Sequence, residues 1–251
     1  MTYSATTLDK SASQNSIDET IEQVSSHGKR RSLRSKKRSL SPVRLNASLP
    51  RKTTTRGKLI LIRHGHTSLN QAGEAERLRG WLDVPLDEVG LQEAEQTAAR
   101  ISGHGIAAIY SSDLTRAIQT SVSVSRATGA PVIPTGNLRP WNLGSFAGQL
   151  VKELIPFLDL LKKNPELPAP GGESWNEFYE RYSRQLLTLM AQAADSGKTI
   201  AAVTHVRNFL AAPTVVKGGD RNKIASSGGP KTGSTFIIER INGRWSMNAE
   251  A

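Results

Sequence analysis

The chain has 251 residues, 37% of them hydrophobic, which suffices for one full-sized domain with an appendage, and it carries a formal net charge of +11. It contains no cysteine, which removes disulfides, thiolate metal sites and cysteine nucleophiles together, so covalent catalysis must use another side chain. No apolar run approaches bilayer length, so the expectation is a soluble chain with no membrane span.

The charge is unevenly placed. Residues 1–56 hold 12 Lys+Arg against 4 Asp+Glu, a net +8 that leaves only +3 for the remainder. This stretch is rich in Ser, Thr, Lys and Arg and has no aromatic residue after Tyr3, so burial cannot offset its ordering entropy. It is expected to be a disordered basic arm. Within it KRRSLRSKKR, Lys29 to Arg38, has the charge density to bind nucleic acid or another polyanion by counterion release, or to act as a localisation signal. A solvated tail without a specific partner is the alternative. Asp9, Asp18, Glu19 and Glu22, with no apolar h-region near the start, argue against a secretory signal or transit peptide, so the expected location is cytoplasmic, or nuclear in a eukaryotic cell.

From Gly57 onward, short β-branched runs alternate with helical spacing. KLILI (Lys58 to Ile62) reads as a buried strand. Leu91, Ala94, Ala98 and Ile101 then fall at helical spacing, followed by a strand, IAAIYSS (Ile106 to Ser112). Ser112-Asp113 reads as the N-cap of a helix over Leu114 to Ala127. After the breaker PAPGG, residues Trp175, Phe178, Tyr179, Tyr182, Leu186, Leu189, Met190 and Ala193 repeat at three and four, and these aromatics read as core. KTIAAVT (Lys198 to Thr204) and STFIIERI (Ser234 to Ile241) read as strands, and Asn242-Gly243 carries a type I′ hairpin signal. Strand and helix alternation predicts an α/β domain over residues 57–251. Its expected form is a three-layer α/β/α sandwich around a mostly parallel sheet, with sites at the carboxyl ends of strands.

Chemistry concentrates at those ends. LIRHGHT (Leu61 to Thr67) places Arg63, His64 and His66 after the first strand, His205 follows the strand ending at Thr204, and Arg116 opens a helix after a third. Two guanidiniums converging on one point form a forked site for a tetrahedral oxyanion, of which phosphate is the expected ligand. An imidazole held in line with phosphorus there can act as nucleophile, with positive surroundings keeping it neutral. A competing reading takes His64 and His66, with His205 or a carboxylate, as metal ligands, but two nearby arginines would repel the cation.

These residues resemble the histidine phosphatase superfamily, the phosphoglycerate mutase-like proteins, over nearly all of Lys58 to Trp245. LIRHGHTSLN is similar to the family's RHG motif, and RLRGWLDVPLDEVGLQEAE, IYSSDLTRAIQT, PGGES, AVTHVRN and GSTFIIERINGRW follow in the expected order. The resemblance implies a phosphoglycerate mutase-like fold and no cofactor or metal, with His64 as the phosphorylated nucleophile and Arg63, Arg116 and His205 forming the phosphate pocket. It implies that Asn70 touches the phosphate, that Thr67 braces the loop and that the backbone of Gly80 approaches the substrate. His66 falls where the family usually has Glu or Gln and is not read as catalytic.

Two departures stand out. Where the family has a Glu or Asp proton donor, this chain reads LRPWNLG, with Pro140 at the expected acid position. General-acid help is worth about 10² to 10⁴ in rate, so alkyl phosphates should suffer most, and phosphohistidine, acyl or aryl phosphates less. Glu173 is a candidate substitute acid, or else a carboxylate favoured by a helix start. The second departure is Val206, where many members have Gly, which is expected to narrow the pocket. The function implied is phosphomonoester hydrolysis on a small molecule or phosphoprotein. A phosphate-binding scaffold that has lost turnover, with the basic arm as its working part, and a phosphoglycerate mutase-type phosphotransferase are the alternatives.

Overall fold

The computed structural model describes residues 57–70, 76–225 and 228–250. The expected basic arm, with Lys29 to Arg38, lies outside the described residues. Six strands form one sheet: β1 (Lys58–Arg63), β2 (Ile106–Ser112), β3 (Val132–Thr135), β4 (Thr199–Thr204), β5 (Thr235–Ile241) and β6 (Arg244–Ala249), in the spatial order β3-β2-β4-β1-β5-β6. The first four strands of that order are parallel, and β5 and β6 add antiparallel at the edge, which makes the sheet mixed.

Among the described residues five α-helices connect the strands: α1 (Glu88–Ile101), α2 (Thr115–Thr128), α3 (Val151–Lys163), α4 (Trp175–Ser196) and α5 (Val206–Lys217). Because successive side chains of a strand point to opposite faces, Ile60 and Ile62 join Ala201 and Val203 in one core with Ala98, Ile101, Ala117 and Val124 of α1 and α2. Leu59, Leu61, Ile200 and Ala202 are equally buried on the alternate positions, and α4 and α5 contact β1 as well as each other. β1 and β4 therefore read as unbroken apolar runs because both of their faces are covered.

Several local expectations are corrected. The buried stripe of α1 is Gly90, Ala94, Thr97, Ala98 and Ile101, whereas Leu91 is 45% exposed. Ser112-Asp113 is not the cap of α2. Leu114 holds the N-cap position, the Thr115 N–H donates to Asp83 Oδ1 at 2.6 Å, and the Asp113 carboxylate is gripped by Arg139. His104, just before β2, lies with Nε2 2.6 Å from Glu250 Oε1. The aromatics of α4 do form core: Trp175, Phe178 and Tyr182 are fully buried behind a capping box of Ser174 and Glu177. In the hairpin, Asn242 and Gly243 adopt φ values of 50° and 79°, the two positive values a type I′ turn requires.

Candidate active site

Sheet order decides which side chains can meet. β4 lies between β1 and β2, all three parallel, and Arg63 pairs in register with Thr204. The next residue of each strand is a histidine, and the His64 N–H continues the ladder by donating to the Thr204 carbonyl at 3.0 Å. The imidazoles of His64 and His205 consequently lie with ring centroids 5.0 Å apart. Arg116, in the first turn of α2 after β2, reaches the same place, and its Nε–H donates to His205 Nδ1 at 3.3 Å. The four residues predicted as catalytic are thus brought together, with exposures of 8% for Arg63, 2% for His64, 1% for Arg116 and 2% for His205.

Hydrogen bonds assign the tautomers. His64 Nδ1 sits 2.7 Å from the Gly65 carbonyl, which can only accept, so Nδ1 carries the proton and Nε2 is left with its lone pair. His205 Nδ1 accepts from Arg116, which puts the proton of the neutral ring on Nε2. That Nε2–H is buried without a partner, as is the Nε–H of Arg63. Two orphaned donors beside a free imidazole lone pair are what an incoming oxyanion would satisfy.

Electrostatics points the same way. Burial first, then the Arg116 and Arg63 guanidiniums, hold the His64 imidazole well below its ordinary pKa, and His205 is depressed by burial, Arg116 and His64. Burial also pushes Arg63 down to about 10 and Arg116 to about 9, a further consequence of stacking cations in a dry site. The charges bearing on both imidazoles are positive, and both are kept neutral.

The loop after His64 is built with little side-chain bulk. A Cβ on Gly65 would stand 2.3 Å from the Gly90 carbonyl oxygen, and a Cβ on Gly90 would stand 2.0 Å from the His66 carbonyl oxygen, so backbone packs on backbone. Thr67 donates through both its N–H and its hydroxyl to Asn70 Oδ1, at 3.1 and 2.8 Å. Thr67 therefore braces the loop, and the Asn70 amide nitrogen is left to donate elsewhere. His66 is turned away from the other imidazoles: its Nδ1 meets Asp87 Oδ2 at 2.6 Å and its Nε2 the Asn70 carbonyl at 3.1 Å. Among the described residues no group of three or more His, Cys, Asp or Glu is placed to hold a metal ion.

Gly80, with φ 48°, turns its carbonyl to Arg116 Nη2 at 3.0 Å, and Leu82 O accepts from Nη1 at 2.6 Å. Arg116 thus braces the turn at residues 80–82 as well as bonding to His205. Pro140 places only a carbonyl at the expected acid position, where it accepts from Trp81 Nε1 at 2.9 Å and Arg181 Nη2 at 3.1 Å. Glu173 immediately precedes the Ser174 N-cap of α4, and its carboxylate accepts from the Asn142 N–H at 2.8 Å and from Arg181 at 2.6 Å. Val206 opens α5 and covers Gly229, whose built Cβ would lie 2.5 Å from Val206 Cγ2.

Sequence reasoning missed Arg79. Its side chain is 10% exposed, and its charge bears on His64, His205, Arg63 and Arg116 alike. Nη1 donates to the Leu69 carbonyl at 3.0 Å and Nη2 lies 3.5 Å from Glu76. Its adjacency to Gly80 in RLRGW was the available signal.

Residues 59–250 match the model of the histidine phosphatase superfamily, branch 1. A Yersinia pestis protein named "Probable phosphoglycerate mutase GpmB" is 31% identical over 144 residues, 55% of this chain, and the chain spans only 66% of that relative's length. Among solved structures, Bacillus stearothermophilus YhfR superposes with a TM-score of 0.65 at 27% identity, covering 77% of this chain and 96% of that one. A mycobacterial glucosyl-3-phosphoglycerate phosphatase solved with VO3 gives 0.64 at 26%, covering 77% and 98%.

Proposed function

Because the chain belongs to the histidine phosphatase superfamily, branch 1, we propose that it is a phosphomonoester hydrolase that needs no metal and works through a phosphohistidine on Nε2 of His64. The observation that carries this reading is the pair of unpartnered donors, Arg63 Nε–H and His205 Nε2–H, set around a neutral imidazole whose Nδ1 is already engaged. Phosphate oxygens bind those donors and the Asn70 amide, and Arg116 stabilises the charge that spreads over the equatorial oxygens as the P–N bond forms. His205 holds its donor in place because Arg116 fixes its tautomer. Water then attacks the phosphohistidine, and phosphate leaves. The substrate is a phosphorylated small molecule or phosphoprotein.

A panel of phosphomonoesters assayed with chelator present, on the full chain and on His64→Ala, tests this. Phosphate release that vanishes in the variant, together with an acid-labile phosphate trapped on the intact protein, is the expected result. Absence of His64-dependent release from every ester would leave the scaffold reading instead. The kinship with a named mutase favours one second reading, phosphotransfer between substrate hydroxyls. A requirement for bisphosphoglycerate would mark that activity, and hydrolysis without it marks the phosphatase.

A further inference from the structure

Phosphoryl transfer to His64 leaves one charge unaccounted for, that on the departing oxygen. The charges acting most strongly on the two imidazoles are Arg116, Arg63, Arg79 and the imidazoles themselves, with no carboxylate among them. Four described carboxylates of the surrounding loops are engaged elsewhere, and Glu76 lies 3.5 Å from Arg79 itself. Asp83 takes the Thr115 N–H and hydroxyl at 2.6 and 2.8 Å. Asp113 takes the Arg139 fork at 2.6 Å on each oxygen. Glu93 accepts from the His66 N–H at 2.7 Å and from Thr232 at 2.8 Å. Glu173 is held by Arg181 and the Asn142 N–H. Pro140 has no acidic proton, and its carbonyl already accepts from Trp81 and Arg181.

What the site has in place of an acid is a third guanidinium. Arg79 is anchored to the nucleophile loop through the Leu69 carbonyl at 3.0 Å, and it immediately precedes Gly80, whose own carbonyl is clamped by Arg116 at 3.0 Å. A guanidinium has five N–H donors, and the bonds to Leu69 and Glu76 leave others available. It cannot serve as a proton donor near neutral pH, but it can stabilise an oxyanion.

Resting on the phosphatase reading above, we infer that Arg79 faces the leaving oxygen and stabilises it as an anion, so that this site selects aryl and acyl phosphates over alkyl phosphates. In the first step the Nε2 lone pair of His64 forms the N–P bond. The P–O bond to the leaving group breaks with its electron pair remaining on oxygen, and the phenolate or carboxylate departs beside Arg79 without taking a proton. In the second step water forms a new P–O bond, the N–P electrons return to Nε2, and the water proton goes to solvent. Alkoxides are too basic to leave in this way, whereas phenolates and carboxylates are not.

The test is a series of aryl phosphates of graded leaving-group acidity, with acetyl phosphate and glycerol 2-phosphate at the extremes, run on the full chain, Arg79→Gln and Arg79→Lys. In the unaltered protein, kcat/KM should fall steeply as the leaving group becomes more basic. Arg79→Gln should steepen that dependence, losing about 10²-fold on the most basic phenolates and only a few-fold on the most acidic. Arg79→Lys, which keeps the charge, should restore most of the slope. An equal loss across the series in Arg79→Gln would overturn the inference, since Arg79 would then bind substrate and transition state alike, and so would unaltered-protein rates that ignore leaving-group acidity. Either result still shows turnover, whereas failure of the phosphatase reading shows none on any ester.

Discussion

Arg116 Nε donates to His205 Nδ1 across 3.3 Å, and this contact decides that the proton of the neutral His205 ring sits on Nε2, which is buried without a partner. The same guanidinium holds the carbonyls of Gly80 and Leu82, so one side chain sets both the imidazole and the turn that carries Arg79.

Arg116→Lys should therefore not behave as a conservative change. An ammonium cannot span His205 and two carbonyls at once, and we expect kcat/KM to fall by about 10²-fold or more on any substrate of the panel, chiefly in kcat. Steady-state kinetics on the purified variant checks this.

His205→Ala removes the unpartnered Nε2–H while leaving His64 in place. The loss expected for one oxyanion donor is about 10²- to 10³-fold in kcat. On the phosphohistidine reading proposed above, trapped phosphoenzyme should still be detectable at long incubation times, because His64 survives.

The depressed pKa values of His64 and His205 have a signed consequence for stability. Between the lowered folded values and the unfolded value of about 6.5, the unfolded state binds more protons than the folded one, so stability rises with pH there and is lost as pH falls below about 6.5. Thermal melts should show Tm dropping from pH 7 to pH 5, and the drop should shrink in His64→Gln and His205→Gln. Activity follows a different course: kcat/KM should stay level through the ordinary imidazole range, since His64 remains neutral there.

Ser174→Ala removes half of the capping box at the start of α4, where Ser174 Oγ accepts from the Glu177 N–H at 3.2 Å. A cost of about 1 kcal/mol is expected from the lost cap. Denaturant unfolding should show a lower midpoint with an unchanged slope.

Much of this arrangement was legible beforehand because it rests on strand ends. The runs around β1, β2 and β4 are apolar on both faces and bounded sharply by polar residues, so their carboxyl ends, and with them His64, Arg116 and His205, could be placed on one rim. The hairpin at Asn242-Gly243 was equally clear, since few residues accept its backbone angles. α3 and α5 escaped notice because Pro156 and Pro213 sit inside them, and tertiary burial of Leu154, Leu158 and Leu161 on one side of α3 outweighs the local breaker. The capping of α2 by Asp83 was invisible because its acceptor comes from a loop 32 residues earlier. Arg79 was hidden for a similar reason: an arginine in a turn ordinarily reaches solvent, and here the Leu69 carbonyl and Glu76 draw it inward.

The interlock of Gly65 with Gly90 sets a limit on how this site can vary. Since the loop after His64 rests on peptide groups of the first turn of α1 and not on a side chain, the exposed positions of that helix are free to change without displacing the His64 imidazole. Either glycine, in contrast, is intolerant of a single added methyl, which would push the chain at His64 away from α1.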